Sequence, residues 1–358
     1  MAKFYAFYLP QFHPIPENDE WYGKGFTEWR SVASARPLYP GHYQPHIPAD
    51  LGFYDIRLKD TVLAQIDLAK NYGVDGFLYW HYWFGNGKQL LENPFKSLVE
   101  DKSIDFHFAA AWGNASWFKK QWGAKGQDSM LIEQQYLGSD DYKAHFYCLI
   151  DAFKDQRYIR INGKLLFIIY NPTDNAGITE MISVWRKLAA QEGLNDFYFV
   201  GHDLIGKKQK QILQMGFDGI YDDNMLNIHH SRSSFLKALL QCGRKIHIPT
   251  SFKYKNAVKY MIREDDTREN IFPVVVPNWD HTPRTGAKNI MFRDCKPEYF
   301  KQLVIDAIHA VKGKKEENQV IIIKSWNEWG EGNHMEPDLK YGRGYLEALK
   351  EAREEENV

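Results

Sequence analysis

The stretch Val320-Ile321-Ile322-Ile323-Lys324-Ser325-Trp326-Asn327-Glu328-Trp329-Gly330-Glu331-Gly332 decides how the chain is read. Its first four residues are β-branched and apolar, the pattern of a parallel strand covered on both faces. The run then breaks into Trp, Asn and two glutamates, punctuated by glycine. Burying carboxyl groups without a use is costly. Two of them, three residues apart and flanked by indoles at a strand's C-terminal end, point to acid–base chemistry on a sugar. The bland alternative is a solvated turn that happens to carry two glutamates. The buried strand before it and the Trp-Asn-Glu-Trp around it speak against that alternative.

Seven further apolar runs precede this one: Lys3 to Leu9, Gly76 to Tyr82, Phe106 to Trp112, Lys164 to Tyr170, Phe197 to Val200, Phe217 to Tyr221 and Phe272 to Val276. Between them lie helical patterns at Asp60 to Tyr72, Gln89 to Val99, Tyr142 to Lys154, Thr179 to Glu192, Gln209 to Met215 and Glu298 to Val311. Further helices are expected at Ser233 to Cys242, Tyr254 to Arg263 and Gly344 to Glu356. Such alternation predicts parallel β/α units, and eight of them suit one closed (β/α)8 barrel spanning residues 1–358. An open doubly wound sheet needs a Gly-rich phosphate turn after its first strand. Leu9-Pro10-Gln11 is nothing like one. The loop from Pro10 to about Pro48 is long enough to predict a wall of a binding cleft.

Composition narrows the partners. The 358 residues carry a net charge of −1, so no basic surface asks for nucleic acid. No apolar run approaches the roughly 18 residues of a membrane span. Three scattered cysteines, Cys148, Cys242 and Cys295, and an N-terminus that reads at once as a strand suggest a cytoplasmic protein. Aromatics make up 15% of the chain, and several fall beside polar residues at strand ends, where sugar faces are gripped.

The runs end repeatedly in polar or aromatic residues, which is where barrels carry chemistry. Gln11, His13, Trp29, Tyr82, Trp83, Trp112, Tyr170, Asn278, Trp279, Trp326 and Glu328 are expected to line one cleft. His81, Asn114, Asp280, Arg284, Asn327 and Glu336 are further candidate sugar contacts. Tyr82 and Trp83 are the favoured aromatic platforms, whereas Trp112 and Tyr170 have core packing as a competing reading. Asp222-Asp223 could suggest a metal–nucleotide site, but a turn after a strand is the simpler account. His13, His46, His81 and His202 show no HxH or HExxH spacing, so neither a metal nor a cofactor is expected.

Tyr8-Leu9-Pro10-Gln11-Phe12-His13, Gly25-Phe26-Thr27-Glu28-Trp29, Gly76-Phe77 with Tyr79-Trp80-His81-Tyr82-Trp83, and Trp326 to Gly332 with Glu336-Pro337 resemble the WbsX-type domain of the glycoside hydrolase family 99-like superfamily. The resemblance spans essentially the whole chain. It implies a (β/α)8 barrel acting on an oligosaccharide or polysaccharide, with endo-α-mannosidases and α-mannanases as relatives. It also implies retention through a 1,2-anhydro sugar. Glu328 would take the proton of the sugar 2-OH and Glu331 would protonate the leaving oxygen. Gly330 stands where family 99 commonly has His, and Asn333-His334-Met335 replaces its usual Thr-Gln-Ile. Retaining endo-hydrolysis of an α-linked glycan is the leading expectation. A glycosyltransferase of polysaccharide biosynthesis and a non-catalytic glycan-binding barrel are the alternatives.

Overall fold

In a computed structural model, residues 1–119, 129–231 and 248–358 are described. The eight apolar runs form eight parallel strands: β1 (Lys3–Tyr8), β2 (Gly76–Trp83), β3 (His107–Trp112), β4 (Lys164–Ile169), β5 (Phe197–His202), β6 (Gly219–Asp222), β7 (Ile271–Val275) and β8 (Val320–Ile323). Each pairs with its sequence neighbour, and β8 pairs with β1, so the sheet closes on itself. The closing seam runs in register from Lys3 opposite Val320 to Ala6 opposite Ile323. β1 meets β2 with Tyr5 opposite Gly76. The expected barrel is therefore the observed fold, with strand ends moved by one or two residues.

The strands are buried on both faces, since helices cover the outside and packed side chains fill the inside. The layer contains α3 (Lys59–Asn71), α4 (Asn93–Glu100), α5 (Ser139–Cys148), α6 (Gly177–Gln191), α7 (Gln209–Gln214), α8 (Pro297–Val311) and α9 (Gly344–Glu356). In α6 the buried set Ile178, Met181, Ile182, Trp185, Leu188 and Ala189 recurs every three or four residues, which is one helix face. In α8 the same spacing buries Phe300, Leu303, Val304, Ala307, Ile308 and Val311.

Several expectations are corrected. The helix expected from Gln89 starts at Asn93, because Gln89–Leu90 adds a short antiparallel pairing to the end of β2. Pro94 then suits the first turn, where its missing N–H costs nothing. The helix expected at Tyr142 to Lys154 begins at Ser139 and breaks after Cys148, resuming at Ile150–Phe153. Tyr254 to Arg263 is not one helix. Tyr254–Ala257 is helical and Val258–Tyr260 tightens to a 3₁₀ turn, following a strand at Thr250–Lys253 that pairs in parallel with Ile290–Arg293. The helix expected at Ser233 to Cys242 lies outside the described residues. The long loop after β1 contains two short helices, Pro16–Tyr22 (α1) and Glu28–Ala33 (α2).

Phe167 of β4 shows how tightly this core is filled: it is fully buried, with its ring centroid 4.6 Å from that of Trp185 in α6. Phe167→Ala is expected to cost about 3–5 kcal/mol, the range for a large aromatic removed from a packed core. Denaturant unfolding, read as a lowered midpoint with unchanged slope, checks it.

Candidate active site

After Ile323 the chain leaves the barrel and folds back as a small hairpin, Asn327–Glu328 against Asn333–His334. A 3₁₀ turn at Trp329–Glu331 joins the two strands, and Gly332 adopts the left-handed conformation that closes it. Glu328 therefore lies on a strand and Glu331 on the turn. The hairpin is anchored before any ligand arrives. The Asn327 side chain accepts Leu9 N–H at 2.7 Å and donates to the Leu9 carbonyl at 3.1 Å. Ser325 Oγ donates to the Asn333 carbonyl at 2.8 Å and accepts Glu328 N–H at 3.1 Å.

Glu328 and Glu331 face a cleft of about 700 Å³ at the C-terminal mouth of the barrel, the size of an ordinary small-ligand site. Gln11, Glu28, Trp80, Tyr82, Tyr170, Arg284 and Lys324 line it with them, and Tyr22, Phe26, Trp117 and Phe118 supply more aromatic wall. Arg284 reaches both glutamates. Its Nη1 donates to Glu331 Oε1 at 2.6 Å and lies 3.4 Å from Glu328 Oε1. Its Nε donates to Glu28 Oε1 at 2.8 Å. His281 Nε2 is 3.1 Å from Glu331 Oε1. Lys324 Nζ donates to Asp223 at 2.7 Å behind the floor.

These contacts separate the two carboxyls. Burial, and then the neighbouring Glu331, push the Glu328 carboxyl up to about 7. Burial also opposes the charge on Glu331, but Arg284 and His281 outweigh it and hold that carboxyl well below the usual range. Below about pH 7 the ionised member is thus Glu331 and the proton-bearing member Glu328. This is the reverse of the charges that the resemblance implies.

Of the expected cleft residues, Gln11, Tyr82, Tyr170, Arg284, Glu328 and Glu331 come together at the mouth. The others lie elsewhere. Side chains alternate along β2, so Trp80 and Tyr82 share the cleft face, while His81 and Trp83 turn to the helix layer. There Trp83 stacks on His145, with centroids 4.8 Å apart, and donates to Asp141. His81 shares a hydrogen bond with His145. Trp112 is buried and donates to the Trp83 carbonyl, and Asn114 ties itself to the Asn171 backbone. Trp326 packs on Phe77 in the core, and Asn327 is consumed by Leu9. Trp29 donates to the Tyr54 carbonyl and packs on Trp329, and His13 is buried away from the mouth. Glu336 accepts from Tyr54, Gln65 and Trp329 behind the hairpin, where burial pushes it up to about 7.

Asn278, Trp279 and Asp280 line a separate, smaller cavity. Asp280 there accepts from Gln44 and meets His42 at 2.7 Å, tying the long loop to the β7 exit. The same cavity borders His46 and Asp338. Among the described residues, His46, His334 and Asp338 form a group whose ligand atoms lie within 4.8 Å of one another, although His46 Nδ1 and His334 Nε2 already share a hydrogen bond at 3.1 Å. Sequence spacing gives no hint of this cluster. Nor does it single out Glu28, Trp80, His281 or Lys324 as site residues. For Trp80 the signal is available in its two-residue spacing from Tyr82.

The arrangement is two carboxyls at a strand end, one guanidinium reaching both of them and aromatic walls around them. The chain belongs to the family described as "Glycosyltransferase WbsX", which it matches over residues 4–349. Two proteins called "Uncharacterized protein WxcX", from Xanthomonas campestris pv. campestris strains B100 and ATCC 33913, are each 32% identical over 356 residues, 98% of this chain. The chain spans about half the length of these relatives, 49% of each. The fold is similar to that of the GH99 endo-alpha-mannosidase from Bacteroides thetaiotaomicron, with a TM-score of 0.56 and 17% identity, covering 98% of this chain and 96% of that one. A structure called "Glycoside hydrolase-like protein" gives a TM-score of 0.59 at 14% identity, covering 98% and 93%. No helix among the described residues is long and apolar enough to cross a membrane.

Asn327→Ala would leave the buried Leu9 N–H and carbonyl without partners. Each orphaned group costs about 1–3 kcal/mol, so a loss of at least about 2 kcal/mol is expected in thermal or chemical unfolding.

Proposed function

We propose that this chain is a retaining, endo-acting glycoside hydrolase that cleaves an α-linked glycan with Glu328 and Glu331. The observation that carries the proposal is the pair itself: two carboxyls in one cleft, reached by the same guanidinium nitrogen and pushed to opposite charge states. That division is what acid–base cleavage of a glycosidic bond requires. Because both reach Arg284 Nη1, their facing oxygens lie within about 6 Å, close enough for both carboxyls to meet one glycosidic bond. Retention, by direct attack or through a 1,2-anhydro sugar, follows the resemblance of Trp326 to Gly332 to glycoside hydrolase family 99.

The resting charges favour Glu328 as the proton donor to the leaving oxygen and Glu331 as the ionised partner that meets the anomeric centre or the 2-OH. Tyr82, Tyr170 and Trp80 offer rings to the sugar's CH faces, and Gln11 and Arg284 offer donors to its hydroxyls. A second reading, transfer of a glycosyl group to an acceptor sugar, is favoured by the description of the family. The same pair would serve it, with an acceptor hydroxyl in place of water.

Glu328→Gln and Glu331→Gln are each expected to lower kcat on a natural glycan by about 10²–10⁴-fold. A glycosyl fluoride, whose leaving group needs no proton, separates the roles. Turnover of the fluoride should survive in Glu328→Gln and disappear in Glu331→Gln, and the opposite result would restore the roles implied by the resemblance. An inverted first product would end the retaining mechanism, and turnover only with a nucleotide sugar would establish transfer.

The pH profile follows from the same pair. Glu328 holds its proton below about pH 7 and loses it above. The value of kcat/KM should therefore fall on the alkaline side of about pH 7, tenfold per pH unit.

A further inference from the structure

Glycine at position 330 leaves room for an ion pair. A Cβ built on Gly330 would lie 1.6 Å from Glu28 Oε1 and 2.9 Å from Arg284 Nε. Any side chain there would drive the two apart. Glu28 opens α2 in the long loop, far in sequence from the hairpin, and is 3% exposed. One guanidinium thus joins three carboxyl groups from separate parts of the chain: Glu28 through Nε, and Glu328 and Glu331 through Nη1. Arg284 faces three buried carboxyls, and the other cation nearby, Lys324, is already paired with Asp223, so the cluster is relieved by keeping one of the three protonated. The short contacts go to Glu28 and Glu331, and the long one to Glu328.

We propose that Glu28 is a positioning residue: by occupying Arg284 Nε it aims Nη1 at Glu331 and leaves the pair's proton on Glu328. This rests on the reading of the pair as acid and base. The other groups facing the cluster do not replace Glu28. His281 meets Glu331 at the same Oε1 that Arg284 holds and has no hydrogen bond to Glu328, and Lys324 is engaged by Asp223. Tyr82, Tyr170 and Tyr221 surround Glu328, and Tyr22 lies near Glu28, all as phenols raised by burial. Removing the charge of Glu28 takes a like charge from beside Glu328 and frees the guanidinium to turn toward it. Both changes favour an ionised Glu328. A contact that merely held the fold together would change stability and leave the titration where it was.

Infrared difference titration of the protonated carboxyl, assigned by its loss in Glu328→Gln, reads the proposal directly. In the unsubstituted chain the midpoint is expected near 7. In Glu28→Gln it should fall by about one pH unit, the lower end of the effect of a charge within a few ångströms. Glu28→Asp, which keeps the charge, should recover most of that shift. Gly330→Ala separates Glu28 from Arg284 without removing a charge. It should lower the midpoint in the same direction, and it serves where Glu28→Gln does not fold. In turnover, the alkaline limb of kcat/KM should move with the midpoint, and kcat should change more than KM. An unmoved midpoint in folded Glu28→Gln or Gly330→Ala would overturn the proposal. The titration needs no substrate, so absence of hydrolysis would count against the proposed reaction and leave the positioning role of Glu28 standing.

Discussion

The barrel depends on its seam between β1 and β8. The backbone ladder there stops at Ala6 opposite Ile323, and Trp326 N–H still reaches the Phe7 carbonyl at 2.8 Å. Beyond that point the Asn327 side chain takes over, offering Leu9 both an acceptor and a donor as a neighbouring strand would. A side-chain amide can do this because it carries the same two groups as a peptide unit. The seam therefore closes the sheet and fixes the next residue, Glu328, in one step. Rigid support of this kind is what holds a reactive group in place without a ligand.

Around that support the site is a charge problem more than a shape problem. Buried carboxyls are tolerated only when paired or protonated, and both solutions occur within a few ångströms. Glu331 is paired, Glu328 is protonated, and Arg284 is stabilised in its charged form by the carboxylates around it. Burial of both glutamates among Trp80, Tyr82, Tyr170 and the other residues of the cleft strengthens these charge effects.

The parts legible in the sequence are those with a local period. Eight apolar runs alternating with helical patterns announce the barrel, and the run at Val320 to Ile323 leads into the two glutamates that face its cleft. The motif Trp326 to Gly332 reads as a set of sugar contacts, yet only its glutamates face the cleft. Trp326, Asn327 and Trp329 build the platform beneath them. His81 and Trp83 stand on the opposite face of β2 from the one their aromatic character suggests, because strand alternation decides the face. Asp280 has the look of a ligand group but is a tie between loops. Glu28 lies in the quoted stretch Gly25 to Trp29 without being marked there as a site residue, and His281 carries no local signal. Their meaning comes from partners far along the chain, which no spacing rule reaches.

Closing a barrel with its first and last strands also orders how it is built. During synthesis β1 can pair with β2 early, while its other edge waits for β8 near the opposite end of the chain. Such long-range pairing is slow, and an unpaired edge is exposed to wrong partners until it closes. The glutamate hairpin follows β8 directly, so it docks only when that last pairing forms. Half-folded chains would consequently lack the carboxyl pair, and the cleft would gain Glu328 and Glu331 only in the completed barrel.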